Sequence, residues 1–230
     1  MTTSTSPDVI AQVDATIEAR HLLKHPFYQA WTEGRLTLDH LRQYAKQYWH
    51  HVLAFPQYVS AAHARCPDMD DRQTLLENLI EEERGPDNHP ELWLRFGEAL
   101  GLSRDEIVNS EPLPETAALV RTYRELCGPS AEGFVEGAVA LYAYESQVPA
   151  VAEAKIDGLR RIYGIDDERG LSFFAVHLQA DVEHAEDGRR MIARHAADEA
   201  SAERARRAAA VAADALWGML DGVYDRYVAA

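Results

Sequence analysis

Cysteine is scarce in this 230-residue chain: Cys66 and Cys127 are the only two. Two thiols cannot build a disulfide framework or a four-thiolate zinc site, so both are expected to be ordinary reduced thiols, as suits the cytoplasm. Positive charge is short as well, with 23 Lys and Arg against 38 Asp and Glu and a net charge of −15. No basic face for phosphate contacts is expected, which excludes nucleic acid as a general partner and favours small molecules. No window approaches the roughly 20 apolar residues of a membrane span, and no basic start with an apolar core opens the chain. A soluble protein without a membrane partner is expected. Linker-like runs, internal repeats and period-2 strand patterns are missing too, so residues 1–230 are expected to form one all-α domain, with 1–7 flexible. A Gly-x-Ser-x-Gly elbow is absent, and a hydrolytic triad is not indicated.

What the chain does contain is helical periodicity. Apolar spacing predicts helices over 9–23, behind a possible Asp8 cap, and over 38–64, with a kink at Pro56. A break is expected at His25-Pro26. Further helices are expected over 70–83, 90–100, 114–126, 131–161, 166–195 and 200–227, with Ser103 capping a short one. That makes a bundle of about eight helices able to hold a site between facing side chains. The final segment, 198–230, carries Trp217, Leu220, Val223 and Tyr227 on a stripe that either covers the bundle or pairs two subunits.

His177, Asp181 and His184 are spaced i, i+4 and i+7, which on a helix points all three the same way. Apolar Phe173, Phe174, Val176 and Leu178 flank them, and an unpaired carboxylate there would be costly, so a cation is one solution. Pairing of Asp181 or Glu183 with Arg189 or Arg190 is the other. Glu82 with His89, and Glu145 within an apolar and aromatic helix, are further candidate ligands. Together they make three histidines and three carboxylates, a nitrogen and oxygen shell suited to two ions of iron or manganese. Gly85-Pro86 should separate Glu82, at one helix end, from His89 near the next helix start. Glu81 and Glu83 are alternative carboxylates to Glu82. His50, His51 and the Glu18/His21 pair are weaker ligand candidates, since the Glu-x-x-His spacing of ferritin-like bundles occurs without a second copy.

The six ligand candidates, with the strings His25-Pro26-Phe27-Tyr28 and Tyr144-Glu145-Ser146-Gln147-Val148-Pro149, resemble the haem-oxygenase-like di-metal oxidases. Within that group the likeness is greatest to the Chlamydia protein associating with death domains and its bacterial relatives, and it runs from about His21 to about His195. The resemblance implies a seven-helix fold related to the pyrroloquinoline quinone biosynthesis oxidases and thiaminases. It also implies an Fe/Fe or Fe/Mn pair without haem, dioxygen as co-substrate and an external reductant. For function it implies synthesis of 4-aminobenzoate for folate from the protein's own residues, Tyr28 giving the ring and Lys155 the amino group. Set apart from the family, Lys155 would be a solvated lysine about 80° from the Glu145 face on one continuous helix. Tyr44, Tyr48 and Tyr144 would then be core residues with satisfied hydroxyls, or a relay and shield for a radical.

Three functions follow as expectations. The leading one is the self-consuming 4-aminobenzoate synthase, acting as a homodimer. The second is a di-metal oxidase of a diffusible amino acid or fatty acid. The third is a metal-stabilised module that binds partner helices.

Overall fold

Capping residues mark most of the helix starts. In the computed structural model, which describes residues 9–229, α1 (Val9–Ala19) is followed by a single 3₁₀ turn and α2 (Pro26–Thr32). The segment 1–7 expected to be flexible, and the Asp8 cap, lie outside the described residues. Thr37 caps α3 (Leu38–Arg65) and Asp68 caps α4 (Met69–Glu83). Asn88 caps α5 (His89–Ala99), and Ser103 caps the short α6 (Arg104–Val108). Next come α7 (Pro114–Cys127), α8 (Val135–Glu145), α9 (Val148–Arg161), α10 (Glu168–His195) and α11 (Glu199–Val223), which ends in a π turn. The described residues hold eleven α-helices and no strand.

Beyond the eight long segments and the short helix after Ser103, two further helices have local causes. His25-Pro26 is a start as well as a break: Pro26 sits in the first turn of α2 and His25 Nδ1 accepts from Phe27 N at 3.0 Å. The expected helix over 131–161 is two helices, divided at Ser146-Gln147. Pro149 has no N–H to continue the ladder and disfavours helix at the residue before it. Pro56 does not interrupt α3.

Every residue of α8 is buried, and α3, α7, α10 and α11 enclose it. A helix apolar on all sides belongs in a core, and α8 holds the axis of this one. The last helix, α11, packs on α1, α7 and α8 through Ala205, Ala209, Ala212, Leu216 and Leu220. Gly158 is needed where α9 meets α2, because a Cβ there would lie 2.4 Å from Trp31 Nε1. Among the described residues no helix is long and apolar enough to cross a membrane.

Candidate metal centre and the lysine beside it

The face of α4 that reads Asp71, Leu75, Asn78 and Glu82 is buried, which turns Glu82 inward at the helix end. Gly85, at φ +87°, then turns the chain, a conformation that glycine adopts without strain. Asn88 caps α5 so that His89 occupies its first position. The two ends meet with His89 Nδ1 2.8 Å from Glu82 Oε1, as the Gly85-Pro86 break predicted. His177, reaching over from α10, completes a group whose ligand atoms lie within 4.8 Å of one another. Its Nδ1 donates to the Phe173 carbonyl at 2.5 Å, which leaves Nε2 as the free, unprotonated nitrogen.

Glu145, Asp181 and His184 form a second such group. His184 Nδ1 is 3.6 Å from both Glu145 Oε1 and Asp181 Oδ1, while its Nε2 faces Glu81 Oε2 at 3.3 Å. Asn78 Nδ2 donates to Glu145 Oε1 at 2.7 Å. All six predicted ligands are therefore brought together, three to a group. The arginine alternative is not realised: Arg189 pairs with Asp14 at 2.8 Å and Arg190 with Asp187. Glu83 and Glu183 are exposed. Glu18 pairs with Lys24, His21 accepts from Leu23 N, and His50 lies 3.3 Å from Ser110 Oγ. His51 is wholly buried among aromatic rings.

Electrostatics favours a cation at this place. Burial pushes the Glu145 carboxyl up to about 8 and Asp181 up to about 6. Burial pulls His177 well below the usual imidazole range. It lowers His184 too, but Asp181, Glu145 and Glu81 more than offset this and bring the ring to about 9. His89 is likewise raised, by Glu82 against burial. Among the described residues His89 Nδ1 and Asp181 Oδ2 are buried with no hydrogen-bond partner, despite the short approach of Glu82 to the first. Such orphans are rare in finished cores, and here they are ligand-type atoms, one in each group. The donor set fits a pair of iron or manganese ions.

Glu81, one of the alternative carboxylates to Glu82, lies behind His184 instead. A carboxylate on the outer nitrogen of a ligating imidazole orients it and raises its basicity. Glu81→Ala is expected to weaken one of two bound ions by about tenfold, the low end for such partners because Glu81 is half exposed; anaerobic ferrous titration checks this.

One helical turn away lies a second constellation. Lys155 on α9 is 3% exposed, against the solvated position that residue type alone suggested. The 80° offset from Glu145 does not apply, because the helix between them is broken. Its Nζ sits 4.9 Å from the Tyr48 ring centroid, 5.0 Å from Tyr44, 5.1 Å from Phe174, 5.5 Å from Tyr28 and 5.7 Å from Trp93. It donates to Tyr44 Oη at 2.7 Å, and Tyr44 Oη lies 3.1 Å from Tyr28 Oη. Burial lowers its ammonium to about 7. Burial raises the Tyr28, Tyr44, Tyr48 and Tyr144 phenols, so all four are neutral. Tyr48 donates to Tyr144 Oη at 2.8 Å, and Tyr144 precedes Glu145. The two sites share scaffolding, since α5 carries His89 and Trp93 and α10 carries Phe174 and His177.

Sequence reasoning missed Asn78 and the roles of Trp93 and Phe174. The spacing of Leu75, Asn78 and Glu82 contained the signal for Asn78, because it defines one helix face.

The family model described as "Iron-containing redox enzyme" matches residues 42–217. The 4-aminobenzoate synthase of Nitrosomonas europaea is 45% identical over 95% of this chain and 92% of its own length. That of Chlamydia muridarum is 39% identical over 94% and 90%. A TenA homologue from Pseudomonas syringae superposes with a TM-score of 0.82 over 98% of this chain and 96% of its own, at 18% identity, which bears on the fold alone. The all-α, haem-oxygenase-like expectation agrees with these findings.

Proposed function

Because the chain belongs to the family of iron-containing redox enzymes, we propose that it is an oxygen-dependent 4-aminobenzoate synthase that consumes its own Tyr28 and Lys155. The observation that carries this reading is a buried, partly neutral lysine and a tyrosine pair caged with Trp93 and Phe174, which stand one turn from the ligands His89 and His177. Glu82, His89 and His177 would hold one ion, and Glu145, Asp181 and His184 the other, as Fe/Fe or Fe/Mn with an external reductant. When bound, the ions supply electrons and positive charge for the reduction of dioxygen.

The remaining chemistry belongs to the chain. Comparing tyrosine with 4-aminobenzoate, the ring is retained, Cβ becomes the carboxyl carbon, and nitrogen replaces the para oxygen. The Cα–Cβ and para C–O bonds of the donor tyrosine and the Cε–Nζ bond of Lys155 must therefore break as a C–N bond forms at the ring carbon that bore the hydroxyl, with dioxygen as the oxidant and the external reductant balancing the electrons. Lys155 is suited to this, because at a pKa of about 7 roughly half of it is the neutral nucleophile at neutral pH. No carboxylate pairs with it among the described residues, and the ring cage excludes water. Tyr44 Oη links Lys155 and Tyr28 by hydrogen bonds to both.

The 2.7 Å approach of Lys155 to Tyr44 favours a second reading, in which Tyr44 gives the ring. Ring-¹³C-tyrosine incorporated during expression, followed by assay with unlabelled free tyrosine, separates the possibilities. Labelled product at no more than one per chain, with side-chain mass lost at position 28 and nitrogen lost at 155, is expected. Mass lost at position 44 would favour the second reading. Unlabelled product in excess of the chain would sink both and leave an oxidase of a diffusible substrate. We also infer a homodimer in the cytoplasm, with sedimentation as the check on its assembly.

A further inference from the structure

Between α4, α8 and α10 lies a narrow chamber of about 20 Å³. Leu75, Ala138, Leu141 and Met191 give it an apolar wall, and half-buried Thr74 and Asp187 also line it. At Gly188 a Cβ would lie 3.1 Å from the Tyr142 ring, so α8 and α10 are in close contact along its side. Glu145 and His184, two members of one ligand group, line it as well, while Glu82, His89 and His177 do not.

The dimensions decide what can enter. One water needs roughly 10–15 Å³ of such space, so the chamber takes a single water or a diatomic molecule. An amino acid or a fatty acid is excluded by size. We propose that this chamber is the dioxygen port, delivering the gas to the Glu145, Asp181 and His184 corner rather than to the other ligand group. This deepens the proposed function and rests on it for the identity of the gas. The wall suits an apolar diatomic. Asn78 commits its amide N–H to Glu145, and its buried Oδ1 has no partner among the described residues. That one acceptor can hold a resident water, which an arriving dioxygen molecule displaces without breaking the hydrogen bond to Glu145. The arrangement also fits a chain that is its own organic substrate, since this route passes only small molecules.

The test uses the metal-free, methyl-¹³C-labelled full chain under raised dioxygen pressure, followed by NMR relaxation. Paramagnetic enhancement at the methyls of Leu75, Ala138, Leu141 and Met191 is expected to exceed by several-fold that at the fully buried Val13 and Val59. Ala138→Leu fills the chamber. It should suppress the enhancement at Leu141 and Met191 and slow ferrous oxidation several-fold at low dioxygen, with iron content unchanged. Equal enhancement at chamber and control methyls, or unaltered oxygen dependence in a folded Ala138→Leu, overturns the proposal. Should that variant not fold, the wild-type relaxation pattern decides alone. Because relaxation is read without metal or product, its outcome is independent of whether the chain makes 4-aminobenzoate.

Discussion

Tyr28→Phe is expected to yield no detectable 4-aminobenzoate while folding and loading iron as the wild type does. The substitution removes one hydroxyl, a partner in the 3.1 Å contact with Tyr44, and keeps a ring that is fully buried against Phe27 and Trp31. Losing one such bond costs about 1 kcal/mol, little beside the stability of a domain. The chemical cost is of another order, because without the para oxygen the ring is far harder to oxidise and has no group for the amine to replace. Product by mass spectrometry, iron content and thermal unfolding measured on the same preparation check all three parts. Wild-type yield from the variant would move the ring source elsewhere, and Tyr44 is the neighbour already in contact with Lys155.

Lys155→Met should abolish product and stabilise the protein. An ammonium that ordinarily titrates at 10.5 and is lowered to about 7 costs on the order of 5 kcal/mol below about pH 7, where the lysine is charged in both states and must be buried as an ammonium. Methionine fills nearly the same volume without that cost, so a gain of roughly 2–5 kcal/mol at pH 7 is expected after imperfect packing is allowed for. The sign of the pH dependence follows from linkage. Between about pH 7 and 10.5 the unfolded wild type binds the extra proton and the folded form does not, so wild-type stability rises with pH through that window. The advantage of the variant is therefore greatest below about pH 7 and gone above about 10.5. Urea unfolding of both proteins across that range measures the difference directly. A variant less stable than wild type at pH 7 would mean that the lysine is charged and satisfied in its ring cage. Lys155→Arg lacks a transferable primary amine and should also make no product.

The metal ligands were legible because their information is local. His177, Asp181 and His184 announce a common face by helical spacing alone, and Gly85-Pro86 announces the joint that lets Glu82 and His89 meet. The surroundings of Lys155 were not legible in that way. Its burial depends on where α9 points after Pro149 divides it from α8, and on rings drawn from α2, α3, α5 and α10, a long-range coincidence that periodicity does not carry. The same division removed the angular relation between Glu145 and Lys155. Tyr44, Tyr48 and Tyr144 satisfy their hydroxyls within their own cluster, which agrees with the core-packing expectation and leaves room for more. Asp181 could have been neutralised by Arg189 or Arg190 as far as spacing tells. Asp14, on a distant helix, is what occupies Arg189.

His89 and Trp93, like Phe174 and His177, stand about one turn apart on their helices. Inserting a single residue between either pair would swing one member roughly 100° around the axis and shift it by about 1.5 Å. Neither half could follow the other. Divergence in this part of the scaffold is thus confined to exchanging side chains at constant length, so that new chemistry would have to come from swapping what the turns display.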